Sequence, residues 1–263
     1  MSFDLAILGG TVVTGGKSAR RDVYTRGGRI IAVLPAAKNP RPARRAIDAR
    51  GLLVLPGIID AHAHFRLRLG PGKYTADDFT TGSAAAACGG VTTFIDYTGQ
   101  GPGESPFKGL KDRIKEAEGR TYTDFGFHCM LTGWARMKDP AGEMAAAIKA
   151  GAATFKMFTA YGARGLMAGD AEIMAALETA GKLGALICVH AENGPVIDLL
   201  TEKYAGRKSI KALPLSRPPF TEIEPASRLA VFAAANDAPV YFVHLSTAGA
   251  ADVLCRLAVA PQI

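Results

Sequence analysis

Leu55-Pro56-Gly57-Ile58-Ile59-Asp60-Ala61-His62-Ala63-His64-Phe65 is an apolar run that closes on two histidines spaced i, i+2. Side chains alternate across a strand, so both imidazoles are expected on one side, as a shared metal requires. The run is the first of six with the same β-rich texture, at residues 52–59, 91–97, 125–131, 153–158, 185–190 and 240–245. Helix-period segments separate them, among them residues 80–88, 140–150, 170–183, 224–235 and 248–259. Strands apolar on both faces that alternate with helices predict a parallel sheet with helical crossovers. A closed (β/α)8 barrel takes eight such units. The expectation is therefore an α/β fold, an incomplete (β/α)8 TIM-type barrel of about six units that lacks its last ones. An open doubly wound sheet accommodates six strands, but its Gly-rich phosphate fingerprint does not follow the first run, where His62-Ala63-His64 stands instead. Gly99-Gln100-Gly101-Pro102-Gly103 reads as an ordinary loop, interrupted by proline and opening no helix.

Residues 1–51 carry shorter apolar runs at 5–8, 11–13, 23–25 and 30–33, broken by Gly-Gly pairs, the pattern of a small β unit. The expected division is a β domain over 1–51 and a barrel domain over 52–263. A length of 263 residues with 48% hydrophobic and 21% charged side chains supports a sizeable core, and excludes a disordered tail or a disulfide-stapled miniprotein. The excess of 31 Lys and Arg over 24 Asp and Glu is spread along the chain, and its clusters at 17–21 and 38–45 are short. No nucleic-acid partner is expected from so diffuse a charge. Cys88, Cys129, Cys188 and Cys255 form no C-x-x-C pair and sit in apolar contexts, as buried thiols of a reducing compartment do. The N-terminus lacks the order of a secretory signal and no apolar run reaches the length of a span, so a cytoplasmic location without membrane association is expected.

The chain has five histidines, and two more of them close later runs: His190 in Val189-His190-Ala191-Glu192-Asn193 and His244 in Val243-His244-Leu245-Ser246. In a parallel barrel the C-terminal strand ends converge on one face, so His62, His64, His190 and His244 are expected to meet there. His128, in the middle of its run, reads as a hydrogen-bonded core or rim histidine, with a ligand role as the alternative. Lys156 in Ala153-Thr154-Phe155-Lys156-Met157-Phe158 places an ammonium inside an apolar strand, where burial depresses its pKa. A neutral amine adds carbon dioxide to become a carbamate, a two-oxygen anion able to bridge two cations. The alternative is a lysine that snorkels from the rim.

Taken together, these motifs resemble the amidohydrolase superfamily, and within it the cyclic amidases of the D-hydantoinase and dihydropyrimidinase family. The similar stretches also include Thr75-Ala76-Asp77-Asp78-Phe79, Phe155-Lys156-Met157-Phe158-Thr159-Ala160-Tyr161 and Ser216-Arg217-Pro218-Pro219, in the family's order across nearly the whole chain. The resemblance implies two divalent metal ions, usually zinc, with His62, His64 and carbamylated Lys156 on one and Lys156, His190 and His244 on the other. It implies that a hydroxide bridging the metals attacks the ring carbonyl of a small cyclic amide, a 5-substituted hydantoin or dihydropyrimidine, to give an N-carbamoyl amino acid. It also implies that Tyr161, five residues beyond the lysine, donates to the oxyanion and binds substrate. A homotetramer or homodimer is implied for the full-length form.

The family's last metal ligand, an aspartate after the eighth strand, has no counterpart among these residues, and Asp252 does not stand in its motif. The expectation is a C-terminally truncated chain, without the strands that complete a small β-sandwich with residues 1–51. Arg66, two residues after His64, is the second departure. In the related dihydroorotases an arginine so placed grips the substrate carboxylate, which a guanidinium fork suits. A dihydroorotase or another acid-substrate cyclic amidase is therefore an alternative, and a non-catalytic dihydropyrimidinase-like fragment or interaction protein is another. Retention of five ligand positions speaks against the latter.

Overall fold

A computed structural model describes residues 2–70 and 72–257 of the chain. They pack as two units, Met1–Ile58 and Ile59–Ile263. In the first unit β1 (Phe3–Thr14), β2 (Lys17–Arg26), β3 (Arg29–Pro35), β4 (Ala43–Asp48) and β5 (Leu53–Val54) form one sheet in the order β3-β2-β1-β4, with β5 also on β1. Two runs expected as separate strands, 5–8 and 11–13, are a single strand whose register shifts between Ile7 and Gly10. Gly9 adopts φ +71 there, a conformation glycine enters without steric cost, so the strand bends without ending. Phe3, Ala6 and Tyr24 form the buried centre of this unit.

The apolar run 52–59, expected as one strand, is divided. Leu53–Val54 pairs with β1, and β6 (Ile58–Asp60) joins a second sheet. Pro56 has no N–H for a ladder and Gly57 gives the turn freedom, so the run breaks between them.

The second unit continues with a hairpin of β7 (Arg68–Gly70) and β8 (Lys73–Tyr74), then α1 (Phe79–Cys88), β9 (Val91–Tyr97), α2 (Pro106–Ala117), β10 (Asp124–Met130), α3 (Pro140–Lys149) and β11 (Thr154–Phe158). It proceeds through α4 (Asp170–Leu183), β12 (Leu186–His190), α5 (Gly194–Lys203), α6 (Leu213–Ser216), α7 (Phe220–Ala235), β13 (Val240–Phe242) and α8 (Ala248–Arg256). Positions 258 and 259 of the expected last helix lie outside the described residues. Helix α2 was not legible from apolar period, yet it has a start signal: Ser105 caps it by accepting from Lys108 N at 3.0 Å, and Pro106 occupies the first turn.

The main sheet runs β13-β12-β11-β10-β9-β6, and the pairs from β9 to β13 are parallel. Each strand lies beside its predecessor in sequence, which is the winding of a (β/α)8 barrel. A doubly wound sheet would reverse order at a switch point. The six strands therefore form an arc of a TIM-type barrel. Burial on both faces explains the unbroken apolar runs: Phe155, Met157, Ile187 and Val189 on one face and Cys188 on the other are fully enclosed. Helix α4 covers them with Ile173, Ala176, Leu177 and Ala180, one stripe at helical spacing, and ends at Gly184 with φ +65. Each large apolar side chain so enclosed stabilises the fold by about 1.5–3 kcal/mol relative to exposure.

Candidate metal centre

Parallel strands deliver their C-terminal ends to one side, and each expected site residue arrives there. His62 and His64 follow β6, Lys156 lies within β11, His190 is the last residue of β12, and His244 follows β13. The strand geometry assumed for His62 and His64 is not what pairs them, because both lie beyond β6. Asp60 Oδ1 accepts from His62 N at 3.0 Å and turns the chain, so that His62 Nε2 and His64 Nε2 stand 3.2 Å apart. On the other side His190 Nδ1 and His244 Nε2 are 3.1 Å apart. The rings of His62 and His244, 5.2 Å between centroids, join the two pairs into one row. His244, two residues beyond β13, takes φ +39.

Lys156 does not snorkel. It is 2% exposed, and among the described residues its Nζ has no hydrogen-bond partner. Burial brings this amine down to about 7 from the usual 10.5. Burial, followed by the charge of Lys156, holds His62 at about 3 and His64 at about 4. His244 is lowered as well, by burial, then His190 and Lys156. Neutral imidazole is the form that ligates metal.

His128 takes no part in the row. Its Nδ1 meets Thr154 Oγ1 at 2.7 Å and its Nε2 meets the Ala61 carbonyl at 2.9 Å, so both ring nitrogens are engaged. Among the described residues no three His, Cys, Asp or Glu side chains form a metal-holding group; the donors come as two pairs with an amine nearby.

Other residues hold these groups in place. His190 Nε2 donates to Glu192 Oε2 at 2.6 Å, and Arg217 Nη1 reaches both Glu192 oxygens at 2.8 Å. Burial pushes the Glu192 carboxyl up, but these hydrogen bonds outweigh it and bring it down to about 2. Asp96 is almost fully enclosed on β9, with Oδ1 4.0 Å from His64 Nδ1 and Oδ2 2.7 Å from Arg113 Nη2. Burial pushes Asp96 up to about 6 against the pull of Arg113. Arg113 also donates to the Phe65 carbonyl and to Glu116. Sequence reasoning passed over Asp96 and Arg113, although a lone carboxylate in the apolar run 91–97 is the same kind of signal as Lys156. Replacing Arg113 by Met strands the Asp96 carboxylate and is expected to lower unfolding free energy by about 3–5 kcal/mol in urea melts. A loss below about 1 kcal/mol would contradict that role.

A cavity of about 830 Å³ opens over the row, lined by all four histidines, Lys156, Arg66 and Tyr161 among others. Its volume is within the range for a small-molecule site. Arg66 is half-exposed at its mouth, 3.6 Å from Glu116 and stacked on the Tyr74 ring at 5.4 Å. Tyr161 is half-buried, its ring 4.9 Å from that of His190. Asp252 lies on α8 and does not line the cavity.

A model of the amidohydrolase family matches residues 53–223, more than half of the chain. The chain belongs to the amidohydrolase family. This amidohydrolase is 36% identical over 262 residues to D-hydantoinase of Streptomyces coelicolor, covering 97% of the chain and 55% of that protein. It is 33% identical to dihydropyrimidinase of Dictyostelium discoideum, covering 96% of the chain and 50% of that protein. The crystal structure of D-hydantoinase from Bacillus sp. AR9 superimposes with a TM-score of 0.90 at 35% identity, over 97% of the chain and 55% of its own. The amidohydrolase chain thus spans about half the length of the curated relatives it matches. None of its described helices is long and apolar enough to cross a membrane.

Proposed function

We propose that this site serves a metal-dependent cyclic amidase that opens a hydantoin or dihydropyrimidine ring into an N-carbamoyl amino acid. The observation that carries the reading is the convergence of two imidazole pairs and a buried amine, unpartnered among the described residues, on one cavity. The donors fit a divalent ion. Metal–nitrogen bonds of about 2.0–2.1 Å at tetrahedral angles set two ligand nitrogens about 3.4 Å apart. The observed 3.2 and 3.1 Å are close to that edge. Lys156 lines the same cavity as a buried amine and is the residue able to complete both pairs. Its neutral amine would add carbon dioxide and release a proton, and the carbamate would supply the oxygen donors that the imidazole pairs do not. His62, His64 and Lys156 would then hold one ion, and Lys156, His190 and His244 the other, with zinc suited to such a nitrogen and oxygen set.

When bound, the metal pair supplies Lewis acidity at neutral pH to a water and to the ring carbonyl. The chain's own residues orient the reacting groups. Tyr161 donates its hydroxyl to the oxygen on which charge develops. Burial and the neighbouring charge of Glu192 raise its pKa, so it keeps that proton at neutral pH. Glu192, clamped by Arg217, fixes the ring of His190 so that Nδ1 faces His244. Arg66, at the cavity lining, would meet a substituent of the ring. On the same reading the full-length protein assembles as a dimer or tetramer in the cytoplasm.

The test is hydrolysis of hydantoin and dihydrouracil by the purified chain before and after loading with zinc and bicarbonate, with the N-carbamoyl product followed by chromatography. Turnover only after loading supports the reading. Full metal loading without turnover of either ring would overturn it for this chain.

A further inference from the structure

The turn that carries His244 is tied on both sides. Before it, Val243 N donates to the Val189 carbonyl of β12 at 3.2 Å. After it, Glu222 in the first turn of α7 accepts from Ser246 N at 2.9 Å through Oε1, and from Thr247 N at 2.8 Å and Thr247 Oγ1 at 2.6 Å through Oε2. Among the described residues these two backbone N–H groups meet no other acceptor. Helix α8 does not need this carboxylate for its cap, because Thr247 Oγ1 itself accepts from Ala250 N at 3.3 Å. Between the two ties His244 takes φ +39, a left-handed conformation that a residue with a β-carbon keeps only where its surroundings over-determine it. The start of α7 also holds the turn after His190: the Thr221 carbonyl accepts from Asn193 N at 2.7 Å, and Glu224 Oε2 accepts from Asn193 Nδ2 at 2.7 Å. A single stretch of α7 thus reaches the turns behind both histidines of this pair.

We propose that Glu222 is a positioning residue that sets the spacing of the His190 and His244 rings, by tying the turn behind His244 to the helix start that holds the turn behind His190. Hydrogen bonds to an ionised carboxylate are roughly twice as strong as those between neutral groups, and three of them on one side chain leave the turn little freedom. Ser246 is exposed, so water can take the place of the carboxylate at its N–H when Glu222 is removed. The hydrogen bond is then replaced but the tether is not, and the cost falls on geometry more than on stability. Removing a group that fixes the orientation of a ligand typically weakens metal binding about 10- to 100-fold. The metal consequence rests on the proposed metal centre, whereas the spacing of the rings does not.

The experiment compares the unsubstituted chain with Glu222→Ala and with Glu222→Gln, which keeps the volume and one acceptor oxygen. Histidine labelled with carbon-13 and nitrogen-15 reports the His190–His244 ring contact as a nuclear Overhauser effect without metal, and the His62–His64 contact serves as the internal reference. Zinc affinity in bicarbonate buffer is read by competition with a chromogenic chelator. The expected result is loss of the His190–His244 contact in Glu222→Ala with the His62–His64 contact kept, an intermediate effect in Glu222→Gln, and one of two zinc ions bound about 10- to 100-fold more weakly in Glu222→Ala. Both contacts kept at parental strength in Glu222→Ala would overturn the proposal. Loss of both together would also overturn it, by giving Glu222 a general role in folding in place of a local one. If Glu222→Ala does not fold, Glu222→Gln carries the same comparison. If the contacts change as expected but neither parent nor variant binds zinc, the positioning role stands and the metal centre is what fails.

Discussion

Lys156→Met is expected to abolish metal binding while making the metal-free protein more stable. Methionine keeps most of the volume and removes a polar group that, among the described residues, no partner satisfies. An unmade hydrogen bond on a buried group costs about 1–3 kcal/mol, and that is the gain expected for the variant in urea unfolding. The gain depends on pH in a defined sense. In the unfolded chain the amine holds its proton to about 10.4, whereas in the folded chain it releases it at about 7. The folded state therefore carries the full penalty of a buried charge below pH 7, and the penalty is relieved as pH rises from 7 towards 10. The difference between variant and parent should be largest near pH 6 and shrink steadily above neutrality. A pH-independent difference would show that the amine is not the source of the strain. The loss of metal follows from the carbamate: methionine cannot add carbon dioxide, and two imidazoles alone leave each ion short of the donors a tetrahedral site takes. Metal retained by Lys156→Met would remove the lysine from the site.

Tyr161→Phe is expected to lower kcat on hydantoin or dihydrouracil by about 10²- to 10³-fold, the typical worth of one oxyanion donor. KM should move by no more than a few-fold, because the hydrogen bond strengthens only as charge develops on the oxygen. The backbone supports so specific a placement. Tyr161 sits at φ +67, a left-handed conformation that costs a non-glycine residue roughly 1–2 kcal/mol. Its carbonyl is held by Arg164 N at 3.1 Å and Leu166 N at 3.3 Å, so the turn keeps the ring over His190. Metal content should not change, which separates this variant from those that damage the ligand set. A kcat within about threefold of the parent would assign the donor role elsewhere.

Much of this centre was legible in the sequence because the barrel enforces it. Any residue at a C-terminal strand end of a parallel barrel faces the same side, so His190 and His244 could be brought to His62 and His64 without coordinates. The exception is instructive. The i, i+2 spacing of His62 and His64 suggested a strand, but Asp60 turns the chain and pairs the two rings from a loop. The division of 52–59 between two sheets was hidden for a similar reason, since apolar texture does not reveal which sheet a short segment joins. The residues that brace the centre were missed altogether. Glu192 was read only as part of a motif, and Asp96 looked like an ordinary member of an apolar run. Their roles depend on neighbours such as Arg113 and Arg217, from other elements of the chain, that no local pattern announces.

The most direct measurement is metal stoichiometry by plasma mass spectrometry on the chain loaded with zinc in the presence and in the strict absence of bicarbonate. About two ions per chain with bicarbonate, and a marked drop without it, is the result expected of two imidazole pairs bridged through a Lys156 carbamate. Metal that binds equally well without bicarbonate, or fails to bind in either condition, would contradict it.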